Sequence, residues 1–257
     1  MKPSKSKIKI FFLGLFMLPL FLAVLFSLLK LWSPALLKFP NAIEIYADFF
    51  ISLTDNSVLE AISSTARLVL ISSLVSIILG ILFSFLLNLN KWIWSIFEPT
   101  LDFLRSIPVT FFIPAFAVIL GISSPNIIWI LAAIPSSLLI IVNVLHGIKQ
   151  QNLNRLHQYY LISGKKSKIS AFIKVTFFEV LPYFIAGFKI SLSYAIVIVT
   201  VLEYMQMGNE TGLGTLVYNE MEQLNYKRVY SIIIIVGLIG YILNQLIGRI
   251  SQKYGRF

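Results

Sequence analysis

The sequence predicts an all-α integral membrane protein with about six membrane-spanning helices. Of its 257 residues, 58% are hydrophobic and only 12% are charged, and the mean hydropathy is +0.86. A soluble domain of this length needs more polar surface to cover its core, so lipid must solvate much of this chain. The apolar residues also fall into six long runs, each close to the roughly 20 residues that a helix needs to cross the hydrocarbon core.

The six runs define the predicted spans and the domain organisation. They cover residues 10–31, 64–87, 104–120, 127–145, 182–204 and 229–247. The first run follows four lysines, as in a signal peptide, but it is too long for a signal sequence and no small-residue cleavage site follows it. We therefore interpret residues 1–63 as a retained spanning helix with an external segment. Residues 64–257 form a core domain with five spans and a cytoplasmic loop at about 147–180.

Prolines interrupt three of the predicted spans: Pro19 lies in the first, Pro108 and Pro114 in the third, and Pro135 in the fourth. Each proline removes a backbone donor and predicts a kink or break in its helix. Lipid cannot satisfy the freed carbonyl groups, so broken helices must pack against protein or around a cavity. An ordinary kink within a bundle is the alternative for any single proline.

Lysine and arginine orient the chain, because the cytoplasmic loops of membrane proteins collect these residues. With the N-terminus inside, fifteen of them fall in cytoplasmic segments, and only Lys30, Lys38, Lys227 and Arg228 fall on the opposite side. Both termini are therefore predicted to be cytoplasmic. The formal net charge of +10 follows from this topology and gives no reason to predict a nucleic-acid partner.

Residue types typical of catalytic and metal sites are scarce. There is no cysteine, and the only histidines, His146 and His157, both belong to the cytoplasmic loop. A membrane-embedded enzyme gathers several His, Asp, Glu or Ser groups near the membrane plane, whereas no acidic residue lies in the middle of a predicted span. We predict that the chain is not an enzyme and binds no cofactor or metal itself.

The cytoplasmic loop contains a short polar helix that a glycine should end. Residues 155–163 have helical character, and Gly164 follows them, before Lys165, Lys166 and Lys168. Glycine is the usual helix stop because it adopts positive φ without steric cost. This arrangement favours a small helical knob that docks a soluble partner. The alternative is a solvated basic loop at an anionic bilayer surface.

These residues resemble the cytoplasmic coupling loop of bacterial ABC importer permeases, in which a Glu-Ala-Ala helix, a glycine and a downstream Leu-Pro dock into the ATPase. Gly164 and Leu181-Pro182 stand at the family positions. Arg105-Ser106-Ile107-Pro108 with Ile113-Pro114, and Gly187-Phe188-Lys189-Ile190 with Glu203 and Gly212-Leu213-Gly214, are similar to motifs of the nitrate/sulfonate/taurine/bicarbonate branch. The resemblance runs from about residue 64 to the C-terminus.

The sequence departs from that family in two places. Gln158-Tyr159-Tyr160 replace Glu-Ala-Ala, so the shape of the knob must differ. The stretch from Gly164 to Pro182 is one residue longer than the family spacing. Gly164-Lys165-Lys166-Ser167 is not a nucleotide-binding loop, because Tyr159 and Lys166 occupy the positions where that loop needs Gly and Ser or Thr.

The resemblance implies a type I importer permease in the bacterial inner membrane, with two ATPase subunits that bind ATP and Mg, a second permease copy and an external solute-binding protein. Its coupling helix would use Arg155, Gln158, Tyr159, Tyr160 and Gly164. The implied cargo is a small solute, such as nitrate, a sulfonate, bicarbonate or a vitamin precursor.

Four residues are candidates for the translocation pathway: Arg105, Pro108, Lys189 and Glu203. Lys189 lies about two turns inside the fifth span, where a charge is costly and a functional role is expected. The alternative interpretation of Lys189 is that its side chain snorkels to the cytoplasmic interface. The alternative interpretation of Arg105 is a local ion pair with Glu98 or Asp102. The alternative function is an ion-coupled carrier or a channel without an ATPase, although mid-membrane carboxylates and inverted repeats typical of carriers are not apparent.

Overall fold

The computed structural model describes residues 40–121, 124, 126–164, 168–209 and 211–254, together with the isolated positions Val24 and Leu28. Side chains are not described for Ala42, Lys91, Arg105, Val109, Asn209 and residues 250–254. The predicted first span, apart from Val24 and Leu28, therefore lies outside the described residues.

Ten α-helices account for most of the described chain, and no β-strand occurs within it. In chain order they are α1 Ala42–Ser52, α2 Asn56–Leu89, α3 Lys91–Ser106, α4 Ile113–Leu120, α5 Ile127–Gln150, α6 Leu153–Ser163, α7 Lys168–Ala171, α8 Phe177–Tyr204, α9 Leu213–Glu222 and α10 Tyr226–Tyr254. Short 3-10 turns cover Val109–Phe112 and Met207–Asn209, and a π-helical turn, Phe172–Thr176, joins α7 to α8.

Four helical segments of the described chain are long and apolar enough to cross a membrane: Asn56–Leu89, Ile127–Gln150, Lys168–Tyr204 and Tyr226–Arg249. They confirm the predicted second, fourth, fifth and sixth spans. Each is longer than its predicted run because polar residues extend the helix beyond the apolar stretch, and a helix with capped ends continues into the interface.

The predicted third span, residues 104–120, is not one helix but is broken, as Pro108 predicts. Helix α3 ends at Ser106, Ile107 is extended (φ −83°, ψ 122°), and a 3-10 turn precedes the eight-residue α4. Pro108 causes the break, because the residue before a proline is pushed out of the α region. Pro114 causes none, since it lies in the first turn of α4, where no backbone donor is needed.

Small residues let the spanning helices approach closely. Helices α5 and α8 share the most extensive contact, followed by α2 and α5. A Cβ on Gly80 would lie 2.6 Å from Ile140 of α5, and the Ser76 hydroxyl donates to the carbonyl of Ala133 at 3.0 Å. Such small residues are typical of helix contacts in membranes, where packing and interhelical hydrogen bonds replace the hydrophobic effect.

The helix ends are grouped as the topology predicts. At one end, Lys168 donates to the carbonyl of Leu89 at 2.8 Å, and Lys149 pairs with Glu98. At the other end, Arg228 pairs with Asp55. The first group contains only predicted cytoplasmic residues and the second only predicted external ones. Which of the two sides is cytoplasmic stays a prediction.

Candidate functional site

The short helix predicted before Gly164 is observed as α6, and its role in coupling stays a prediction. None of its residues is buried, and Leu161 and Ile162 are 82% and 88% exposed. The Asn152 side chain caps its N-terminus by accepting from the backbone N–H of Asn154. Gly164 ends it with φ 61° and ψ 2°, which confirms the predicted left-handed conformation.

Tyr159 and Tyr160 lie on the side of α6 that faces its own loop. The Tyr159 hydroxyl is 2.6 Å from the Ser170 hydroxyl of α7, and the two tyrosine rings meet edge to face with centroids 5.9 Å apart. Both side chains are half-buried, whereas Gln158 is exposed. The aromatic pair therefore fills the space between α6 and α7.

Glu179 ties the start of α6 to the start of α8. Its Oε2 accepts from the backbone N–H of Asn152 at 3.2 Å, and its Oε1 lies 3.5 Å from Nη1 of Arg155. Next to this contact, a cavity of about 450 Å³ lies between the C-terminus of α5 and the N-termini of α6 and α8. A displacement of α6 would thus act directly on α8.

The π-helical turn Phe172–Thr176 lies between Gly164 and Pro182. A π turn holds one more residue per hydrogen-bonded ring than an α turn. The turn therefore accounts for the one additional residue of this segment. The π turn lies within one helical segment that runs unbroken from Lys168 to Tyr204. The sequence had suggested that Pro182 opens the spanning helix, but Pro182 lies inside it.

Lys189 is exposed on α8. Its Nζ lies against α10, where a Cβ built on Gly248 would be 3.9 Å away. One turn further along, the Ser193 hydroxyl is 2.7 Å from Nδ2 of Asn244 on α10. Lys189 therefore belongs to a polar seam between α8 and α10.

Glu203 is fully buried at the other end of α8, with 0% exposure. The Thr65 hydroxyl of α2 lies 2.9 Å from both of its carboxylate oxygens, and the backbone N–H of Gly214 donates to Oε2 at 3.0 Å. Thr65 in turn accepts from the backbone N–H of Leu213 at 2.8 Å. Glu203 and Thr65 together therefore satisfy two free N–H groups at the start of α9, that of Gly214 and that of Leu213, and the carboxylate is placed as an acidic residue is at a helix N-terminus.

The glycines of the Gly-Leu-Gly motif allow this close approach. A Cβ on Gly212 would lie 2.1 Å from the Glu203 carboxylate, and one on Gly214 would lie 2.1 Å from the carbonyl oxygen of Thr200. No side chain fits at either position without displacing α9 from α8. The spacing of Glu203 and the two glycines is thus explained by one junction between helices.

The remaining candidates, Arg105 and Pro108, lie at the break between α3 and α4. The side chain of Arg105 is not described; Glu98, one of its two expected partners, bonds to Lys149 of α5. That hydrogen bond lowers the pKa of Glu98 from its ordinary value.

A comparison with protein families identifies the group to which this architecture belongs. Residues 73–256 match the family described as the binding-protein-dependent transport system inner membrane component. The chain belongs to this family. It is therefore an inner-membrane permease subunit of an ABC importer. Permeases of this family are transport subunits that bind no cofactor of their own, and the family implies ATPase and binding-protein partners.

Several curated permeases are similar in sequence. The nitrate import permease NrtB of Leptolyngbya laminosa is 25% identical over 200 residues, which cover 78% of this chain and 70% of the relative. The formylaminopyrimidine transport permease ThiX of Halalkalibacterium halodurans is 28% identical, over 74% of each chain. The bicarbonate transport permease CmpB of Synechococcus elongatus is 24% identical, over 69% of this chain and 63% of the relative.

Solved importers share the fold. An inward-facing structure of the MetNI methionine ABC transporter superposes with a TM-score of 0.66 and 16% identity, and covers 76% of this chain and 95% of that one. An amino acid ABC transporter superposes with a TM-score of 0.56 and 16% identity, over 82% of this chain and 94% of that one. The permease therefore has the type I importer fold.

The structure places the predicted site residues in four separate places: on α6, at Lys189, at Glu203, and at the break that holds Arg105 and Pro108. The α6 residues lie at one end of the bundle, Glu203 lies at the other, and Lys189 is 14 residues from Glu203 along α8, or about 21 Å. Thr65, Glu179, Ser193 and Asn244 were missed. Asn244 carries a sequence signal, since it is an amide inside an apolar span, but no local pattern predicts that Thr65 meets Glu203.

Proposed function

We propose that this permease imports a small solute delivered by an external binding protein, and that α6 is the surface on which the ATPase docks. In this proposal a second copy of the chain completes the pathway. The observation that carries the proposal is the exposure of α6, a capped helix that stands off the membrane bundle with Leu161 and Ile162 uncovered. Exposed apolar side chains on a projecting helix are typical of a surface that a partner covers.

The docking face differs from the one that the coupling motif implied. Because successive residues of a helix are 100° apart, the half-buried Tyr159 and Tyr160 face the loop, while Gln158, Leu161 and Ile162 face outward. We therefore assign the ATPase contact to Gln158, Leu161 and Ile162. Tyr159 and Tyr160 act as internal supports that hold α6 at its angle.

Movement of the docked ATPase would reach the membrane through Glu179. This carboxylate bonds to the backbone N–H at the start of α6 and belongs to the helix that continues as α8. Helix α8 carries Lys189 on its exposed face, together with the exposed apolar residues Ile190 and Val197. We assign that face to the translocation pathway, where it would meet the second copy.

Similar permeases support a small solute as the cargo. NrtB and CmpB are named as nitrate and bicarbonate permeases, and ThiX is named as a formylaminopyrimidine permease. Lys189 is a positive charge on a spanning helix with no ion pair among the described residues, which favours the anions of this set.

Docking on α6 is tested by pull-down of the ATPase encoded beside the permease, with and without the double substitution Leu161→Ala and Ile162→Ala. Removal of two exposed apolar contacts should weaken ATPase binding by about tenfold or more. Substrate-stimulated ATP hydrolysis should fall with it. Leu153→Ala is the matched control, because Leu153 is also exposed on α6, at 59%, but lies near its start. If both variants bind like the parent, α6 is not the docking site.

A further inference from the structure

We infer that Lys189, Ser193 and Asn244 form a binding site for a small oxyanion at the seam between α8 and α10. This inference rests on the proposed function, because it names the chemistry of the solute and the residues that contact it within the pathway. Of the three, only Lys189 belongs to a motif that the sequence analysis identified. The site follows from their placement in the structure.

The three side chains form one surface because α8 and α10 run antiparallel. Lys189 and Ser193 are four residues apart on α8, and Asn244 and Gly248 are four residues apart on α10, so each pair shares a helix face. Contacts link Lys189 to Gly248 and Ser193 to Asn244. The missing side chain at Gly248 leaves room for the lysine ammonium beside the α10 backbone.

Asn244 keeps unused hydrogen-bonding capacity inside the protein. Its Nδ2 donates to the Ser193 hydroxyl at 2.7 Å, and this hydroxyl is 3.3 Å from the carbonyl of Lys189. Its Oδ1 is buried and has no hydrogen-bond partner. An amide has two N–H donors and one oxygen. In the assigned orientation one N–H is unused, and if the amide is turned over, both are.

Within the described part of the chain, the ammonium of Lys189 also has no counter-ion. No carboxylate of the described chain lies within 4 Å of it, in contrast to Lys149, Arg155 and Arg228. Helix α10 contains no Asp or Glu, and the acidic residues of α8, Glu179 and Glu203, lie near its two ends. A positive charge without a partner on a spanning helix is costly unless something else neutralises it.

Together these groups match an oxyanion. The ammonium supplies the charge, the Asn244 amide supplies an N–H donor, and the Ser193 hydroxyl can turn to donate a second hydrogen bond. A cationic solute would meet the lysine with no carboxylate to offset it. The same donors would also hold a lipid phosphate, so the test must separate a dissolved oxyanion from a lipid headgroup.

The test uses the full-length chain in nanodiscs of phosphatidylcholine, which carries no net charge. Its thermal unfolding midpoint is measured in sodium nitrate, bicarbonate, sulfate and methanesulfonate, against sodium chloride at the same ionic strength. At least one oxyanion should raise the midpoint, since a ligand that binds only the folded state stabilises it. Lys189→Met, and separately Asn244→Asp, should weaken the response by about tenfold or more, whereas Lys189→Arg should retain it.

Gln245→Leu is the matched control, because Gln245 is an exposed amide at the neighbouring position of α10 and bonds only to Tyr241. It should respond like the parent. The inference is overturned if no oxyanion raises the midpoint, if the Lys189 and Asn244 variants respond like the parent, or if Gln245→Leu is equally impaired. The same midpoint is also measured in nanodiscs that contain phosphatidylglycerol. If the stabilisation appears only with this anionic lipid and not with a dissolved oxyanion, the site binds a lipid headgroup, and the inference is overturned.

Separate measurements test the proposed ATPase docking on α6 and the proposed oxyanion site. ATPase pull-down is measured on the same variants, and docking on α6 should be unaffected by Lys189→Met. If no oxyanion binds while the ATPase still docks and responds to another solute, the anion site is wrong and the importer assignment stands. If docking on α6 fails, oxyanion binding by the chain alone is still measurable.

Discussion

The Thr65 hydroxyl lies 2.9 Å from each carboxylate oxygen of Glu203 and donates its one proton to either, so its removal is a direct test of the junction between α2, α8 and α9. Thr65→Val has nearly the same shape but removes the donor to Glu203 and the acceptor for the N–H of Leu213. A buried charged or polar group left without its partner costs about 2 kcal/mol. The thermal unfolding midpoint of the purified permease should therefore fall.

Thr100→Val is the control for this substitution. The Thr100 hydroxyl bonds only to the carbonyl of Ile96 in its own helix and is exposed. Its loss should leave the midpoint within experimental error. Equal effects of the two substitutions would show that Glu203 does not depend on Thr65. The role of Glu203 in the translocation pathway stays a prediction, since a fully buried carboxylate reaches the pathway only if α9 moves.

At Gly164, the backbone conformation disfavours a larger residue, whereas the space around the residue allows one. Nothing lies within 4 Å of a Cβ built there, so a side chain fits, but φ is +61°. Gly164→Asn should be tolerated because asparagine adopts this conformation readily, whereas Gly164→Val should cost about 1–2 kcal/mol and misplace the end of α6. ATPase pull-down and substrate-stimulated ATP hydrolysis should be lost in Gly164→Val alone. Equal loss in both variants would point to a steric role at the ATPase contact instead.

At the scale of elements, α1 is fastened to α10 by one buried cation. Arg228 donates to the Ser52 hydroxyl at 3.1 Å, pairs with Asp55, and lies 3.9 Å from Asp48. Arg228→Met should destabilise the protein by about 3 kcal/mol, the lower end for a broken buried pair, because Asp55 keeps 34% of its side chain exposed. The thermal unfolding midpoint measures this. Lys227→Met is the control, since the neighbouring lysine is exposed; a similar loss there would contradict the assignment.

The same junction predicts a dependence on pH. Hydrogen bonds from the hydroxyl and backbone N–H of Ser57, and from Arg228, lower the pKa of Asp55 from its ordinary value. A lowered pKa in the folded state stabilises the protein above the ordinary aspartate value of about 4, and this contribution is lost as the pH falls through the lowered pKa. The midpoint difference between parent and Arg228→Met should therefore shrink below about pH 4. A difference that stays constant with pH would exclude this role for Asp55.

Helix existence could be predicted from the sequence where the apolar run was long, as in α2, α5, α8 and α10. At Ile107, Pro108 predicted a kink or break but not its form, because apolar content alone does not distinguish a kinked spanning helix from an extended residue followed by two short helices. The π turn at 172–176 left only an indirect trace, the additional residue before Pro182. Polar extensions such as Lys168–Thr176 were missed because hydropathy measures the lipid contact, not the end of the helix.

The site could be predicted only where one stretch of sequence carries it. Gly164 and the short helix before it were predicted because helix capping is local. The outward face of α6 was not, since it depends on the contact between Tyr159 and Ser170. The Thr65–Glu203 contact and the Ser193–Asn244 contact join residues far apart in sequence, and only the packing of the spans brings them together.

At the scale of the whole molecule, the contacts of helix ends and the charge pattern make one joint prediction about topology. Lys168 reaches Leu89 at one end of the bundle, and Arg228 reaches Asp55 at the other, so these pairs must share a side. Lysine and arginine are concentrated in the first group, which the positive-inside rule assigns to the cytoplasm. Reporter fusions near Lys166 and after Phe257 should therefore read internal, and fusions after Leu120 and near Asn219 should read external.

The long helix between Lys166 and Asn219 makes this test sharp. Residues 168–204 form one continuous helical segment of 37 residues, or about 55 Å, which exceeds the roughly 30 Å thickness of the hydrocarbon core. Reporters on its two sides must therefore read opposite compartments if the segment crosses the bilayer. The same reading at both sites would contradict the spanning role of α8. If the fusion near Lys166 reads external and the fusion near Asn219 reads internal, the fold is preserved but the charge pattern misassigns the cytoplasmic side. In that case α6 could not meet an ATPase.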